Sequence, residues 1–410
     1  MKKLFRRIKN TLAPWYHGGV AHLAAWYYGY PSRQMKVIGV TGTKGKSTVV
    51  FMLAHILEAA GHRVASIGSL GTRIGSQSWP NTLKMTMPGR FYLQRFLARA
   101  REAQCEYVVM EATSEGLAQN RHYGVTSDCA VFTNLHPEHI ESHGSLDRYR
   151  EAKEKLFAVT SGIHVINADD AVSEIFAQHP AKRTIFFGID RGDIRASNVT
   201  VNAHTATFHV FDTPCTLHVG GRFMIANALA AIATAAMYDI DVPTSCAALG
   251  ALPIVPGRMQ YIQREPFSVV VDYAHTPDSL RAVYETLRPL KPFRLIVVLG
   301  AAGGGRDTWK RPQFGAIAGE CASEIILTNE DPYDEDPDAI VHAVHAGIPA
   351  HASVRVIMDR GQAIRAAIRL AQTGDVVVIT GKGSETSIAG PRGLRTSWSD
   401  ADVAQEALRP

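Results

Sequence analysis

Two hydrophobic rhythms divide this chain. Short apolar runs recur at Lys36–Thr41, Tyr107–Met110, Cys129–Thr133, Ile163–Ile166, Val269–Val271, Leu295–Leu299, Glu324–Leu327 and Val376–Ile379. Several are continuous rather than alternating, which predicts strands of a parallel sheet buried on both faces. Helical stretches such as Thr48–Ala60 lie between them, so the order predicts a doubly wound α/β fold. Residues 196–219 alternate instead and carry turn residues, which predicts short strands at an antiparallel edge. Pro253 and Pro256 precede Gly257 and mark a boundary. The expected organisation is an N-terminal segment 1–34, a central domain 35–253 and a C-terminal domain 254–410.

Composition changes this picture little. The chain of 410 residues is 46% hydrophobic and 20% charged, ordinary for a globular protein. The net charge of +5 is carried by Lys2, Lys3, Arg6, Arg7 and Lys9, and the first acidic residue is Glu58. The rest of the chain is formally neutral, so no nucleic-acid partner is expected. Cys105, Cys129, Cys215, Cys246 and Cys321 are far apart, with no Cys-x-x-Cys. They read as reduced thiols of a cytoplasmic protein without structural zinc.

Residues 11–32 contain no Lys, Arg, Asp or Glu. Pro14, His17, Gly18, Gly19 and His22 break them too often for a signal peptide or a spanning helix. Trp15, Tyr16, Trp26, Tyr27, Tyr28 and Tyr30 cluster behind the basic run, the composition of an anchor at the inner face of a membrane. The plainer expectation, preferred over that anchor, is a short helix packed on the main domain.

The run Val37-Ile38-Gly39-Val40 leads into Thr41-Gly42-Thr43-Lys44-Gly45-Lys46-Ser47-Thr48 and then a helical pattern. Glycines there let backbone N–H groups cradle a phosphate at a helix N-terminus. Lys46 supplies a charge for the β- and γ-phosphates, and the Ser47 hydroxyl can ligate Mg²⁺. Val40 stands where the strict phosphate-loop pattern has its first glycine. Further on, Glu111 closes an apolar run, where ligands bind in an open α/β sheet, and a carboxylate suits Mg²⁺. His139 follows in Thr133-Asn134-Leu135-His136-Pro137-Glu138-His139, and Lys153 in Ala152-Lys153. Histidine is unusual for Mg²⁺, and a lysine ammonium cannot ligate a cation.

These residues resemble the Mur ligases, ATP-dependent amide-forming enzymes of cell-wall precursor synthesis, and within them the branch that adds the third peptide residue. The matching stretches are VTGTKGKST (40–48), MEATSEGLAQNR (110–121), TNLHPEHIESHG (133–144), EAKEKLF (151–157), NADD (167–170), GRFMIANALAA (221–231), VPGRMQ (255–260), VVDYAHTPDSL (270–280), GGGRDTWKRP (303–312), TNEDPYDEDP (328–337) and GKGSE (381–385). The resemblance implies a P-loop-type central ATPase domain with a mostly parallel sheet and a Rossmann-like C-terminal domain. It implies an acyl phosphate formed from ATP, attack by an amino-acid amine, and two Mg²⁺ ions. Lys46, Glu111, His139 and Lys153 are the implied catalytic residues. Ser47, Glu111, His139 and Lys153, the last as a CO₂-derived carbamate, are the implied metal ligands. Gly42, Thr43, Lys44, Gly45, Lys46, Ser47, Thr48, Asn227, Arg258, Asp272 and Lys310 match ATP-binding positions. Thr86, Ser114, Arg121, Arg306, Asp331, Tyr333, Gly381 and Glu385 match substrate-binding ones. A monomer is expected.

Three departures bear on substrates. Family members carry an N-terminal uridine-nucleotide-binding domain, whereas about 35 basic and aromatic residues precede the phosphate loop here, which suggests either a lipid-linked acceptor or a nucleotide handle for which a partner, or the central domain alone, suffices. The diaminopimelate-type Asp-Asn-Pro-Arg is Glu330-Asp331-Pro332-Tyr333, followed by Asp334, Glu335 and Asp336. Tyr333 cannot grip a carboxylate as arginine does, so a cationic amino acid such as lysine or ornithine is expected, against the plainer reading of an exposed acidic loop. Thr86-Met87-Pro88 and Glu115-Gly116 replace the usual Thr-Thr-Pro and His-Gly near the acceptor. A ligase of the folate or amino-acid-polymer type, and a non-catalytic ATP-binding subunit at the membrane, are the competing readings.

Overall fold

The structure, a computed structural model, describes residues 18–83, 85–138, 140–252, 254–288, 293–305 and 307–409. They fall into two compact units. The first comprises residues up to Val199 with Thr207–Leu217 and Met224–Leu252. The second comprises Thr200–Ala206, His218–Phe223 and the chain from Pro253 onward.

The strands of the first sheet are β1 (Lys36–Thr41), β2 (Val64–Gly68), β3 (Gly71–Ile74), β4 (Gln77–Trp79), β5 (Tyr107–Glu111), β6 (Cys129–Phe132), β7 (Ile163–Asn167), β8 (Arg183–Gly188), β9 (Ile194–Val201), β10 (Ala206–Val210) and β11 (Thr213–Leu217). Their order is β11-β10-β9-β8-β7-β6-β1-β5-β2-β3-β4. β1 pairs in parallel with β5 and β6, placing Val40 beside Glu111 and Thr41 beside Phe132. The chain therefore changes sides of β1 between β5 and β6, and ligands in such sheets collect at that switch, beyond the strands' C-terminal ends. β5 and β6 are buried throughout, as their unbroken apolar runs require.

The helix Lys46–Ala59 starts two residues before the expected Thr48, so Lys46 and Ser47 stand in its first turn. It is apolar nearly all round and correspondingly buried. The alternating stretch became β9–β11, which end the sheet.

In the second unit β12 (Gln260–Gln263), β13 (Ser268–Asp272), β14 (Leu295–Leu299), β15 (Glu324–Leu327), β16 (Val354–Val356) and β17 (Val376–Thr380) form a sheet ordered β12-β13-β17-β14-β15-β16. All its pairings but β12–β13 are parallel. β13, β14 and β17 are wholly buried between two layers of helices. Among the described residues no helix is long and apolar enough to cross a membrane.

Candidate active site

The phosphate loop turns at Gly42 (φ 145°) and Gly45 (φ 85°), conformations that favour glycine. Space demands glycine as well. A Cβ on Gly42 would lie 1.9 Å from Thr133 Oγ1, and one on Gly45 would lie 2.1 Å from Asn227 Oδ1. The segment after β6 holds the loop. Asn134 O accepts from Thr43 N (2.8 Å), Asn134 Oδ1 accepts from Lys44 N (2.8 Å), and Thr133 Oγ1 donates to Lys44 O (2.6 Å). Thr43 Oγ1 accepts from His136 N (2.9 Å) and pairs with Tyr149 OH at 3.1 Å. Lys46 Nζ donates to the carbonyls of Gly42 and Thr43, each 2.9 Å away. Lys44 pairs with buried Glu138 at 2.8 Å. Thr48 is buried in the first turn.

Beside the loop, Ser47 Oγ lies 2.8 Å from Ser69 Oγ, and Glu111 Oε1 accepts from Ser69 N (2.7 Å) and Ser69 Oγ (2.8 Å). A Cβ on Gly68 would collide with Glu111 Oε1, so that glycine makes room for the carboxylate. Ser69, Asn134 and Tyr149 belong to this constellation and were missed at the sequence level. Asn134 stood inside a matching stretch, but nothing marked Ser69. Two hydroxyls and a carboxylate are hard oxygen donors, the chemistry Mg²⁺ accepts alongside phosphate oxygens and water. Among the described residues no three His, Cys, Asp or Glu gather as a metal site. His139 lies outside the described residues, as do Arg306 and residues 1–17.

Lys153, on the helix Leu146–Val159, is 1% exposed. Its Nζ donates to Gly42 O at 2.7 Å and sits 4.3 Å from the Tyr149 ring centroid. Burial foremost, and then the Lys46 ammonium, drive its pKa well below the usual lysine value, with Glu138 opposing. Burial therefore favours the neutral form of the Lys153 amine over its ammonium.

A shallow surface cleft opens beside Gly68, lined by Asn81, Met85, Thr86, Pro88 and Tyr92. Arg121 reaches its rim, donating to Met87 O and to Gln119 Oε1. Ser114 Oγ lies 3.1 Å from His143 Nε2, one turn of chain away from Glu111. Thr86 and Arg121 thus share one edge of the cleft, and Gly68 joins that cleft to Glu111.

In the second unit Asp272 closes β13 and accepts from Met259 N and Ala274 N, both at 2.7 Å. The Arg258 guanidinium lies 4.4 Å from the Tyr273 ring centroid. Lys310, at the start of its own helix, lies 3.8 Å from Asp307. The acidic loop is exposed only in part: Asp334 and Asp336 are exposed and Glu335 is half-buried. Glu330 and Asp331 are buried. Asp331 Oδ1 accepts from Lys382 Nζ (2.8 Å) and Ala389 N (2.6 Å), and Lys382 also pairs with Glu385. Asp334 accepts from Arg392 N, Glu335 pairs with Arg311, and Asp336 caps the helix Pro337–His345. Burial pushes the Glu330 carboxyl up to about 7, with Arg360 and Lys382 opposing. A Cβ on Gly381 would strike Glu330 Oε2. Tyr333, at φ 52°, lays its ring against Gly304.

A parallel sheet with a glycine-turned anion loop, a lysine and a carboxylate at its switch point defines a nucleotide-dependent phosphoryl-transfer protein. Comparison with known proteins gives the family. Residues 40–235 match the Mur ligase middle domain, and residues 257–383 match the Mur ligase, glutamate ligase domain. The chain is 39% identical over 406 residues to a UDP-N-acetylmuramoyl-L-alanyl-D-glutamate--2,6-diaminopimelate ligase of Thermosynechococcus vestitus, covering 94% of this chain and 79% of that one. It is 37% identical to a UDP-N-acetylmuramyl-tripeptide synthetase of a Roseiflexus species, covering 95% and 81%. A solved structure of a UDP-N-acetylmuramoyl-L-alanyl-D-glutamate--2,6-diaminopimelate ligase aligns with TM-score 0.64 and 31% identity, over 91% of this chain and 78% of that one. The chain belongs to the Mur ligase family. It is an ATP-dependent, ADP-forming peptide ligase of peptidoglycan synthesis, built as the P-loop and C-terminal domains of that family.

Proposed function

We propose that the enzyme joins a cationic amino acid to the free carboxylate of a UDP-muramoyl dipeptide or its lipid-linked counterpart. The observation that carries this reading is the adjacency of the Ser47–Ser69–Glu111 chain to the cleft at Gly68 and Thr86. A carboxylate entering there meets the γ-phosphate held by the loop. Its oxygen attacks phosphorus, ADP departs, and the acyl phosphate awaits the amine. The amine adds to the carbonyl carbon, loses a proton, and expels phosphate.

The chain's own groups fit those steps. Lys46 leaves the Gly42 and Thr43 carbonyls for the β- and γ-oxygens and offsets their charge. Ser47 and Glu111 would hold one Mg²⁺, and Lys153 as a carbamate with His139 would hold a second; such ions would supply charge neutralisation at the transferring phosphoryl group. The carbamate forms when the neutral Lys153 nitrogen attacks CO₂, making an N–C bond and releasing one proton. Asn227, Arg258, Asp272 and Lys310 hold the nucleotide. Ser114 and Arg121 position the acceptor, and Arg306 clamps a substrate carboxylate.

At the amino-acid end, Glu330, Asp331, Glu385 and Asp400 gather with Lys382 and Arg360, so among these described residues carboxylates outnumber cations. An added ammonium balances that cluster; an added carboxylate does not, and Tyr333 offers it no bidentate partner. The enzyme acts as a monomer in the cytoplasm, with peripheral contact at the inner face of the membrane.

Phosphate release tests the reading. Purified enzyme with ATP and Mg²⁺ is given UDP-muramoyl dipeptide and, in turn, lysine, ornithine, diaminopimelate or glutamate. Release is expected only with the acceptor and a cationic amino acid together. Preference for diaminopimelate would refute the amino-acid assignment, and release without the dipeptide would refute the acceptor.

A further inference from the structure

Residues 18–27 form a helix that is built inside out. Its inner face is Gly18, Ala21, Ala24 and Ala25, buried against the loop at Tyr123 and Gly124. Its outer face is Gly19, His22, Leu23, Trp26 and Tyr27, all exposed at helical spacing. Leu23 is 54% exposed, Trp26 65% and Tyr27 69%. A helix settled on a water-facing domain does the reverse, burying its bulky apolar side chains and showing small or polar ones. The seam is close-packed. A Cβ on Gly124 would fall 2.6 Å from Ala25 Cβ, so position 124 admits no side chain beneath the helix.

Cations lie beyond one end of this face in the structure and precede it in the sequence. Lys2, Lys3, Arg6, Arg7 and Lys9 precede it in the sequence, with no acidic residue before Glu58. Beyond its C-terminal end, the Arg33 guanidinium sits 4.3 Å from the Tyr30 ring centroid, and Arg101 donates to Tyr28 O. Glu102 is the acidic neighbour of Arg101 in sequence. Leucine, tryptophan and tyrosine beside clustered cations match the boundary layer of an anionic bilayer, where the rings sit at headgroup depth and the cations meet lipid phosphates. Neither signal holds a protein firmly alone, and the two together do.

We propose that the Leu23–Trp26–Tyr27 face is a membrane-docking surface for anionic lipid, positioned by the rigid alanine seam beneath it. The inference rests on the peripheral membrane contact proposed above and names its surface and its lipid. Docking by this face would hold the cleft at Thr86 on a body fixed to the membrane, within reach of a lipid-linked acceptor.

The test is sedimentation of the full chain with vesicles of phosphatidylcholine alone or with phosphatidylglycerol added. The unmodified chain should bind the anionic vesicles, release in high salt, and ignore the neutral ones. Trp26→Ala with Tyr27→Ala should weaken binding by about tenfold or more and leave the melting temperature unchanged, because both side chains are exposed. Replacing Lys2, Lys3, Arg6, Arg7 and Lys9 with glutamine should abolish the salt dependence. Full binding by the Trp26/Tyr27 variant would overturn the assigned face while leaving membrane contact intact. No binding of the unmodified chain to either vesicle would overturn both.

Discussion

The Nζ of Lys153 and the carbonyl oxygen of Gly42 are 2.7 Å apart, and Lys46 Nζ approaches the same oxygen at 2.9 Å. Burial first, and then the neighbouring Lys46 ammonium, disfavour a charge on Lys153. Lys153→Ala should lower kcat by about 10²–10³-fold, the usual scale for losing one transition-state stabiliser, with nucleotide binding largely retained. Stripping CO₂ and bicarbonate from the buffer should depress wild-type activity and restoring them should recover it. An Ala variant with wild-type turnover would remove Lys153 from the chemistry.

Gly45 and Asn227 offer a sharper test of the loop. Gly45→Ala places a methyl 2.1 Å from Asn227 Oδ1 on a backbone at φ 85°. Strain and clash together should cost about 1–3 kcal/mol. In an Asn227→Ala background the clash is gone and only the backbone cost, about 1 kcal/mol, should remain. Equal costs in both backgrounds, measured by urea unfolding, would show that the two residues do not meet.

His122 sets a pH dependence. It is buried, and neither ring nitrogen has a hydrogen-bond partner. Burial, helped by Lys155, lowers its pKa to about 4. In the unfolded chain it titrates near 6.5. Between those values the unfolded state binds more protons, so stability falls as pH falls from 6.5 towards 4, by up to about 3 kcal/mol. His122→Phe should flatten that slope at little cost at neutral pH. An unchanged slope would place the titration elsewhere.

Glu330 works in the opposite direction. Its carboxyl is raised from 4.5 to about 7, chiefly by burial. The folded state binds more protons across that window, so this contribution is full below 4.5 and lost as pH rises through 7. Glu330→Gln should remove the alkaline loss. Because Gly381 packs on this carboxyl, the variant should also change KM for the amino acid more than kcat. A variant with wild-type pH dependence and KM would detach Glu330 from both roles.

Much of the first unit was legible because its chemistry demands a fixed local spelling. Glycines at 42 and 45, Lys46 and Ser47 stand together in sequence because a phosphate cradle is one turn of chain. Glu111 was legible from its place at the end of an apolar run. Ser69 was not, since one serine after a strand carries no pattern and only the folded sheet brings it between Ser47 and Glu111. The acidic segment 330–336 was misleading for the same reason. Its partners, Lys382, Arg311 and the backbone at Ala389 and Arg392, come from distant stretches. The aromatic cluster near the N-terminus was visible as composition, but which face of residues 18–27 is buried is a matter of tertiary packing.

The most direct test of the central claim, activation of a carboxylate by phosphoryl transfer beside Glu111, is the fate of its oxygen. The acceptor is labelled with ¹⁸O in the reacting carboxylate and turned over with ATP and the amino acid that supports release. The account predicts one ¹⁸O in each inorganic phosphate formed alongside each amide bond. Amide formation with unlabelled phosphate would contradict it.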